Sequence, residues 1–322
     1  MKKNILKLGL ASSILLINSC NSTTSSLPPS SSSKERDNIA KVFVMCGQSN
    51  MEGNTKIDNF EAFCKDTSRE YNNYVKFGFK KTRISYWTSK SGNYSNPVDP
   101  IAGKFRSIRL GQGFTLNHFG PEIGIAERLD TVLDEENDNP VYFIKFTKGA
   151  TGLANKDEWL PPSMGGNSSS LYTMMLTFVH NNLKLIENEG YIPDLKGFLW
   201  MQGETDSGGG IETENYEANT RGLIESFREE FKDYAKTKIA FIDAAISEKS
   251  IWSAQERINQ AKQNVASEKE ENYYIETRAN GLDLNVGDEE HGGGDIYHYN
   301  IDSMVKLGNA FADVIIDNNL LI

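Results

Sequence analysis

From about residue 39 onward the chain alternates between two hydrophobic rhythms. Five short runs are almost continuously apolar: Lys41–Cys46 (KVFVMC), Val141–Phe146 (VYFIKF), Lys196–Met201 (KGFLWM), Lys238–Asp243 (KIAFID) and Asn272–Thr277 (NYYIET). Such runs suit strands buried on both faces of a parallel sheet. Pro121–Glu135, Leu171–Glu189, Asn215–Tyr234, Ser253–Glu268 and Asp302–Asp317 carry helical spacing instead, the last with Asp302 or Asn300 as its cap. This alternation predicts a doubly wound, three-layer α/β/α sandwich on a five-stranded parallel sheet.

Two regions break the rhythm. Residues from about Thr55 to Phe119 are rich in Tyr, Ser, Asn and Gly and far exceed an ordinary strand-to-helix connection. They read as an elaborated loop insertion over one end of the sheet, with a short helical piece near Phe60–Tyr71. The other region is the N-terminus. Met1-Lys2-Lys3 gives a positive start, Ile5 to Ile17 is largely apolar, and Asn18-Ser19-Cys20 follows. The apolar stretch is short for a membrane span and flanked like a signal peptide. A small residue directly before a cysteine resembles a bacterial lipobox, which implies acylation at Cys20 and a membrane anchor made of lipid alone. Residues 21–38 hold mostly Asn, Ser, Thr and Pro and then a charged run, a composition that cannot bury a core and suits a tether. The expected organisation is therefore a lipoprotein signal over 1–20, a tether over 21–38 and one folded domain over 39–322, in an exported protein held at a membrane.

The formal net charge of -10 argues against nucleic acid as the partner, because phosphate binding needs clustered Lys and Arg. The short basic clusters are Lys2-Lys3 and Lys80-Lys81 with Arg83. Cys46 and Cys64 fall in the folded part; export permits a disulfide between them, and Cys46 reads as buried at a strand end.

Chemistry concentrates at strand ends. Gly47-Gln48-Ser49-Asn50-Met51-Glu52-Gly53 follows the first strand, and a serine on a tight strand-to-helix turn is held exposed beside backbone N–H groups. Ser49 could equally be a plain helix cap. A nucleophilic serine needs a base, and the chain has four histidines. His118 lies in the insertion and His180 in mid-helix. In Asp295-Ile296-Tyr297-His298 a carboxylate three residues before an imidazole can accept its Nδ1–H and leave Nε2 to take the serine proton. His291-Gly292-Gly293-Gly294 imitates a lipase oxyanion motif but lies downstream of the nucleophile, where that motif does not belong. Gln202, in WMQGE after the third run, offers an amide donor for an oxyanion. Thr147-Lys148-Gly149-Ala150-Thr151-Gly152 after the second run offers a glycine N–H, from Gly149 or Gly152.

GQSN after the first strand, Gly120-Pro121-Glu122, a glycine turn after the second strand, WMQGE after the third and DxxH before the last helix together resemble the SGNH/GDSL hydrolase superfamily. Within it the chain is similar to the sialate O-acetylesterase and acetylxylan-esterase group, over about Lys41 to Ile315. That resemblance implies a flavodoxin-like fold and a carbohydrate O-acetylesterase with Ser49 as nucleophile, His298 as base and Asp295 as its partner. It further implies an oxyanion hole from Ser49, Gln202 and a block-two glycine, with Gln48, Asn50 and Glu204 in support and no metal or organic cofactor required. Trp87, Tyr86 and Tyr94 are then candidate sugar-stacking groups. The acid-rich approach from Gly281 to Gly294 leaves Asp283 and Asp288 as alternatives to Asp295. Two other functions stay open: a metal-dependent hydrolase using Asp283, Asp288, Glu289, Glu290, His291 and His298, and a glycan-binding surface protein without catalysis.

Overall fold

The computed structural model describes residues 38–88, 104–135, 138–247, 251–282, 284–285 and 295–322. The strands are β1 (Ile39–Gly47), β2 (Thr55–Lys56), β3 (Phe79–Trp87), β4 (Arg106–Ile108), β5 (His118–Phe119), β6 (Val141–Thr147), β7 (Ile192–Met201), β8 (Ala240–Ala244), β9 (Asn272–Ile275), β10 (Leu284–Asn285) and β11 (Asp295–Tyr299). The α-helices are α1 (Ser49–Glu52), α2 (Phe60–Asp66), α3 (Glu122–Asp130), α4 (Leu171–Asn188), α5 (Gly210–Phe231), α6 (Gln255–Ala266) and α7 (Ile301–Asp317). No helix among the described residues is long and apolar enough to cross a membrane.

The main sheet has seven strands in the order β4-β3-β6-β1-β7-β8-β9. All neighbours are parallel except β3 and β4, which run antiparallel. The five expected strands are present and adjacent, so the α/β/α sandwich holds, but the expected count of five falls short. The two additional strands come from the stretch read as a loop insertion. In β3, Lys80 and Arg83 are exposed and Lys81 is half-buried, while Ile84 to Trp87 are buried. Its first half lies near the outer edge of the sheet, where polar residues meet water, and that hides the strand from a search for continuous apolar runs.

Side chains on β1 alternate between the two faces of the sheet. Val42, Val44 and Cys46 pack into a core with Phe178 and Leu183 of α4, Leu223 and Phe227 of α5, and Ile258 of α6. Phe43 and Met45 pack into the opposite core with Ile123 of α3, Phe311 of α7, and Phe60 and Cys64 of α2. Cys46 and Cys64 are thus buried in different layers, and both are free thiols. On the second face α3 and α7 touch backbone to backbone. A Cβ on Gly124 would lie 2.1 Å from the Val305 carbonyl oxygen, and one on Gly308 would lie 2.2 Å from that of Pro121. Asn300 caps α7, its side chain accepting from Ser303 N–H at 2.9 Å.

The strand order reverses direction between β1 and β7, the point at which open α/β sheets bind ligands beyond their carboxyl ends. Both strands end there together: Gly47 pairs with Met201, and Gln48 N–H donates to Met201 O at 2.9 Å. Gly47 has φ +139°, and a Cβ on it would sit 2.1 Å from that same carbonyl oxygen. Only glycine allows the chain to turn sharply this close to β7.

Candidate active site

A cleft of about 500 Å³ opens over that switch point, lined among others by Ser49, Glu52, Phe114, Ala150, Trp252 and His298. Ser49 is the first residue of α1, a single turn that Gly53 ends in a left-handed conformation, its N–H donating to Ser49 O at 2.8 Å. Ser49 is half-buried, whereas Asn50, Met51 and Glu52 behind it are buried.

His298 reaches the cleft from β11. Its Nδ1 is 2.5 Å from Asp295 Oδ2, and Asp295 Oδ1 accepts Tyr297 N–H at 2.9 Å. Partial burial pushes the Asp295 carboxyl upward, but the bond to His298 and the backbone donors outweigh it and hold the group below its ordinary value. With Nδ1 engaged, Nε2 is the nitrogen left to exchange a proton. Asn50 fixes the strand that carries this imidazole. Asn50 Nδ2 donates to Glu204 Oε1 at 2.9 Å and to Tyr297 O at 3.5 Å, and Asn50 Oδ1 accepts Tyr299 N–H at 3.4 Å. Asn50 thus grips the residues on both sides of His298, while Thr55 Oγ1 donates to Tyr299 O at 2.8 Å. Glu204 is 2% exposed, and burial raises its carboxyl above the ordinary value against the pull of Asn50.

The expected oxyanion donors are placed differently. Gly149 N–H donates to Glu52 Oε2 at 2.8 Å, and Gly152 N–H to Glu158 Oε2 at 2.6 Å. Gln202 is fully buried, and its amide nitrogen faces Asp206 Oδ2 at 2.6 Å, Thr151 O at 3.0 Å and Gln48 Oε1 at 3.2 Å. An amide nitrogen has two protons, so these three acceptors already exceed its capacity. Gln48 and Gln202 therefore tie the turns after β1, β6 and β7 together behind the cleft. Asp206 extends the tie, accepting Leu153 N–H at 2.8 Å and Ala154 N–H at 3.1 Å, with its carboxyl raised by burial.

Among the described residues the backbone N–H groups of Ser49 and Ala150, which sit side by side in the cleft lining with Gly149, have no acceptor. Ala150 has φ +56°, a left-handed conformation that costs a residue with a Cβ roughly 1–2 kcal/mol. Strain of this kind gathers at functional sites.

Other expected residues lie elsewhere. Trp87 is fully buried and stacks on Phe146 at 4.4 Å, and Tyr86 is 5% exposed, so neither can stack on a sugar. The aromatic rings at the cleft are instead Phe114, Trp252 and Tyr297, the last two 5.7 Å apart. His118 binds Thr115 Oγ1 through Nδ1 at 2.6 Å outside the cleft lining, and its pKa is lowered by burial and then by Lys56. His180 pairs with Glu230 on the helical layer. Tyr94, Asp283, Asp288, Glu289, Glu290, His291 and Cys20 lie outside the described residues, so two alternative carboxylates, most of the candidate metal ligands and the lipid-attachment site fall there. Among the described residues no three His, Cys, Asp or Glu side chains group as metal ligands would.

Sequence reasoning missed Glu52, Asp206, Ala150 and all three cleft aromatics. Glu52 and Asp206 had a signal, since each is an acid within four residues of a flagged motif residue. Ala150 and Tyr297 lie inside flagged motifs too, whereas Phe114 and Trp252 had no local signal.

In fold the chain is similar to a protein from Arabidopsis thaliana, with 17% identity, a TM-score of 0.55, and coverage of 86% of this chain and 98% of that one. It is similar to NanS at 14% identity and a TM-score of 0.55, covering 88% and 98% of the two chains. A carbohydrate acetylesterase from Xanthomonas citri matches at 15% identity and a TM-score of 0.53, covering 86% of this chain and 57% of that one. No curated protein matches the sequence. A family model describing carbohydrate esterases, sialic acid-specific acetylesterases, matches residues 39–317. The chain therefore belongs to that family of carbohydrate acetylesterases, which are carboxylic ester hydrolases.

Proposed function

We propose that the chain removes acetyl groups from sugar hydroxyls through a Ser49–His298–Asp295 acyl-enzyme mechanism. The observation that carries this reading is the convergence of Ser49 and His298, 249 residues apart, on one cleft at the switch point, with Asp295 2.5 Å behind the imidazole. In the first half-reaction Ser49 Oγ attacks the acetyl carbonyl while His298 Nε2 takes its proton. The resulting oxyanion is held by the N–H groups of Ser49 and Ala150, which have no competing acceptor among the described residues. His298 then protonates the departing sugar oxygen. In the second half-reaction it deprotonates a water that attacks the acetyl-serine, and acetate leaves.

Gly149 and Gly152, whose N–H groups are taken by carboxylates, and Gln202, whose amide is saturated, serve in this reading as supports for the loop that presents Ala150. Phe114, Trp252 and Tyr297 supply apolar surface for sugar rings. The test is labelling by a fluorophosphonate probe together with acetate release from acetylated xylan, O-acetylated sialic acid and an aryl acetate. Labelling and turnover that Ser49→Ala abolishes support the mechanism. Turnover surviving in Ser49→Ala removes it, and binding of acetylated glycans without labelling or turnover supports a non-catalytic role instead. We further propose that Cys20 is acylated and anchors the protein to a membrane, so that Cys20→Ala moves it to the soluble fraction.

A further inference from the structure

We propose that the outer edge of the sheet carries a second glycan site, one that takes a carboxylate-bearing (uronic acid) sugar. A separate cavity of about 420 Å³ lies at β4, lined by Phe77, Lys104, Phe105, Arg106, Ser107 and Arg109. Among the described residues its wall holds three cations, two aromatic rings and no carboxylate. Phe77 is 54% exposed, and Phe105 is fixed edge-on against Tyr142 at 4.9 Å.

Arg69, Arg128, Arg221 and Arg278 pair with carboxylates, and Arg228 bonds to the Ile239 carbonyl and the Asn272 amide oxygen. Among the described residues none of Lys104, Arg106, Arg109 or the neighbouring Arg83 forms an ion pair, so three uncompensated cations share the wall of this one cavity. Arg106 is half-buried: its guanidinium carbon lies 6.0 Å from the Tyr86 ring centre, and its Nε is sealed from solvent with no hydrogen-bond partner, which leaves the terminal nitrogens as the part a ligand can meet. A guanidinium fork fits a carboxylate with two parallel bonds, and exposed rings suit the C–H faces of a pyranose.

Other anionic partners fit less well. Nucleic acid calls for a long run of cations along its phosphates, whereas this wall offers three. A membrane surface calls for a broad face, whereas this site is concave with aromatic walls. Its position suits a polymer substrate. Arg109 lines the edge cavity and Phe114 lines the active-site cleft, and five Cα steps limit their separation to about 19 Å. That the ligand is a glycan rests on the acetylesterase reading; anion binding at the edge does not.

The test measures binding of an oligogalacturonate to the full chain carrying Ser49→Ala, by calorimetry at roughly 0.15 M salt. A neutral xylo-oligosaccharide and vesicles containing phosphatidylglycerol serve as comparisons. The expected result is binding of the uronate that weakens roughly tenfold or more in Arg106→Ala and in Lys104→Ala/Arg109→Ala. The same edge variants, made with Ser49 intact, should release acetate from an aryl acetate at the unaltered rate, which also establishes their folding. No uronate binding, binding indifferent to the edge variants, or stronger binding to the vesicles would overturn the proposal. Uronate binding by a protein that never cleaves an acetyl ester would leave the edge site standing and remove the esterase reading alone.

Discussion

Asn50→Ala isolates the part of the site that holds the imidazole rather than the part that reacts. The substitution removes the 2.9 Å bond from Asn50 Nδ2 to Glu204 Oε1, a buried bond to a carboxylate worth about 1.5–3 kcal/mol. It also strands Glu204, whose second oxygen already lacks a partner. The contacts to Tyr297 O and Tyr299 N–H, at 3.5 and 3.4 Å, are long and contribute less to stability than that bond, but they are what joins Asn50 to the strand carrying His298. Together these give a loss of about 3 kcal/mol, and a fall in Tm of about 8 °C for a domain of this size. The kinetic loss has another origin. Freed from Asn50, the Tyr297–Tyr299 segment shifts relative to Ser49, and a displacement near 1 Å costs about 10²-fold in turnover, carried by kcat rather than KM.

The pH dependence gives an independent check. Burial raises Glu204 above its unfolded value, and Asn50 opposes that rise. An acid shifted this way contributes its full stability below its unfolded pKa and loses it as pH climbs through the folded one. Removing Asn50 raises the folded pKa further, so the stability deficit should grow from about pH 5 to about pH 8. Urea denaturation at both pH values and steady-state kinetics on an aryl acetate measure these quantities. A variant with kcat/KM within about twofold of the parent and the same deficit at both pH values would refute the argument.

Three further outcomes are expected. Asp295→Asn should lower kcat by about 10⁴-fold with the fold intact, and near-normal turnover would move the role to another carboxylate. Because Asp295 is held below its ordinary value, its stabilisation is present above the unfolded pKa and fades as pH falls through the folded one. The asparagine variant should lack this acid-side loss in a denaturation series. Gly47→Ala, whose new Cβ would sit 2.1 Å from Met201 O, should prevent recovery of soluble folded protein, and a well-folded variant by circular dichroism would contradict the close packing described. Lys262→Met should cost about 3–5 kcal/mol by stranding buried Asp243, which Lys262 Nζ approaches at 2.5 Å. Burial already pushes Asp243 up to about 6, so this deficit should be largest above that pH and shrink on acidification, as a pH series of urea midpoints would show.

Most of the sandwich was legible because a parallel sheet buried on both faces leaves continuous apolar runs, as in KVFVMC and KGFLWM. FKKTRISYW was not, since Lys80 and Arg83 face water near an edge covered only by three-residue β4. Motif spacing likewise singled out Ser49, Asp295 and His298 as candidates, because a strand end followed by a glycine turn and an acid three residues before an imidazole are local patterns, and Ser49 and His298 do line one cleft. The oxyanion donors illustrate the limit of such reading. Residue type marks Gly149 and Gln202 as able to donate, but only the folded chain reveals that Glu52 and Asp206 already accept from them. The aromatic rings follow the same logic. Trp87 and Trp252 are equivalent as letters, and their surroundings, assembled from distant segments, put one in the core and the other at the cleft.

The glycine contact between α3 and α7 reaches further than packing. His298 stands three residues ahead of α7, and the seating of that helix on α3 depends on Gly124 and Gly308. A single methyl at either glycine would press α7 away from α3 and disturb the strand ahead of it, which carries both Tyr297 and His298. Under the proposed mechanism, a relative that drifted there would lose its activity without one change among the groups assigned to the reaction.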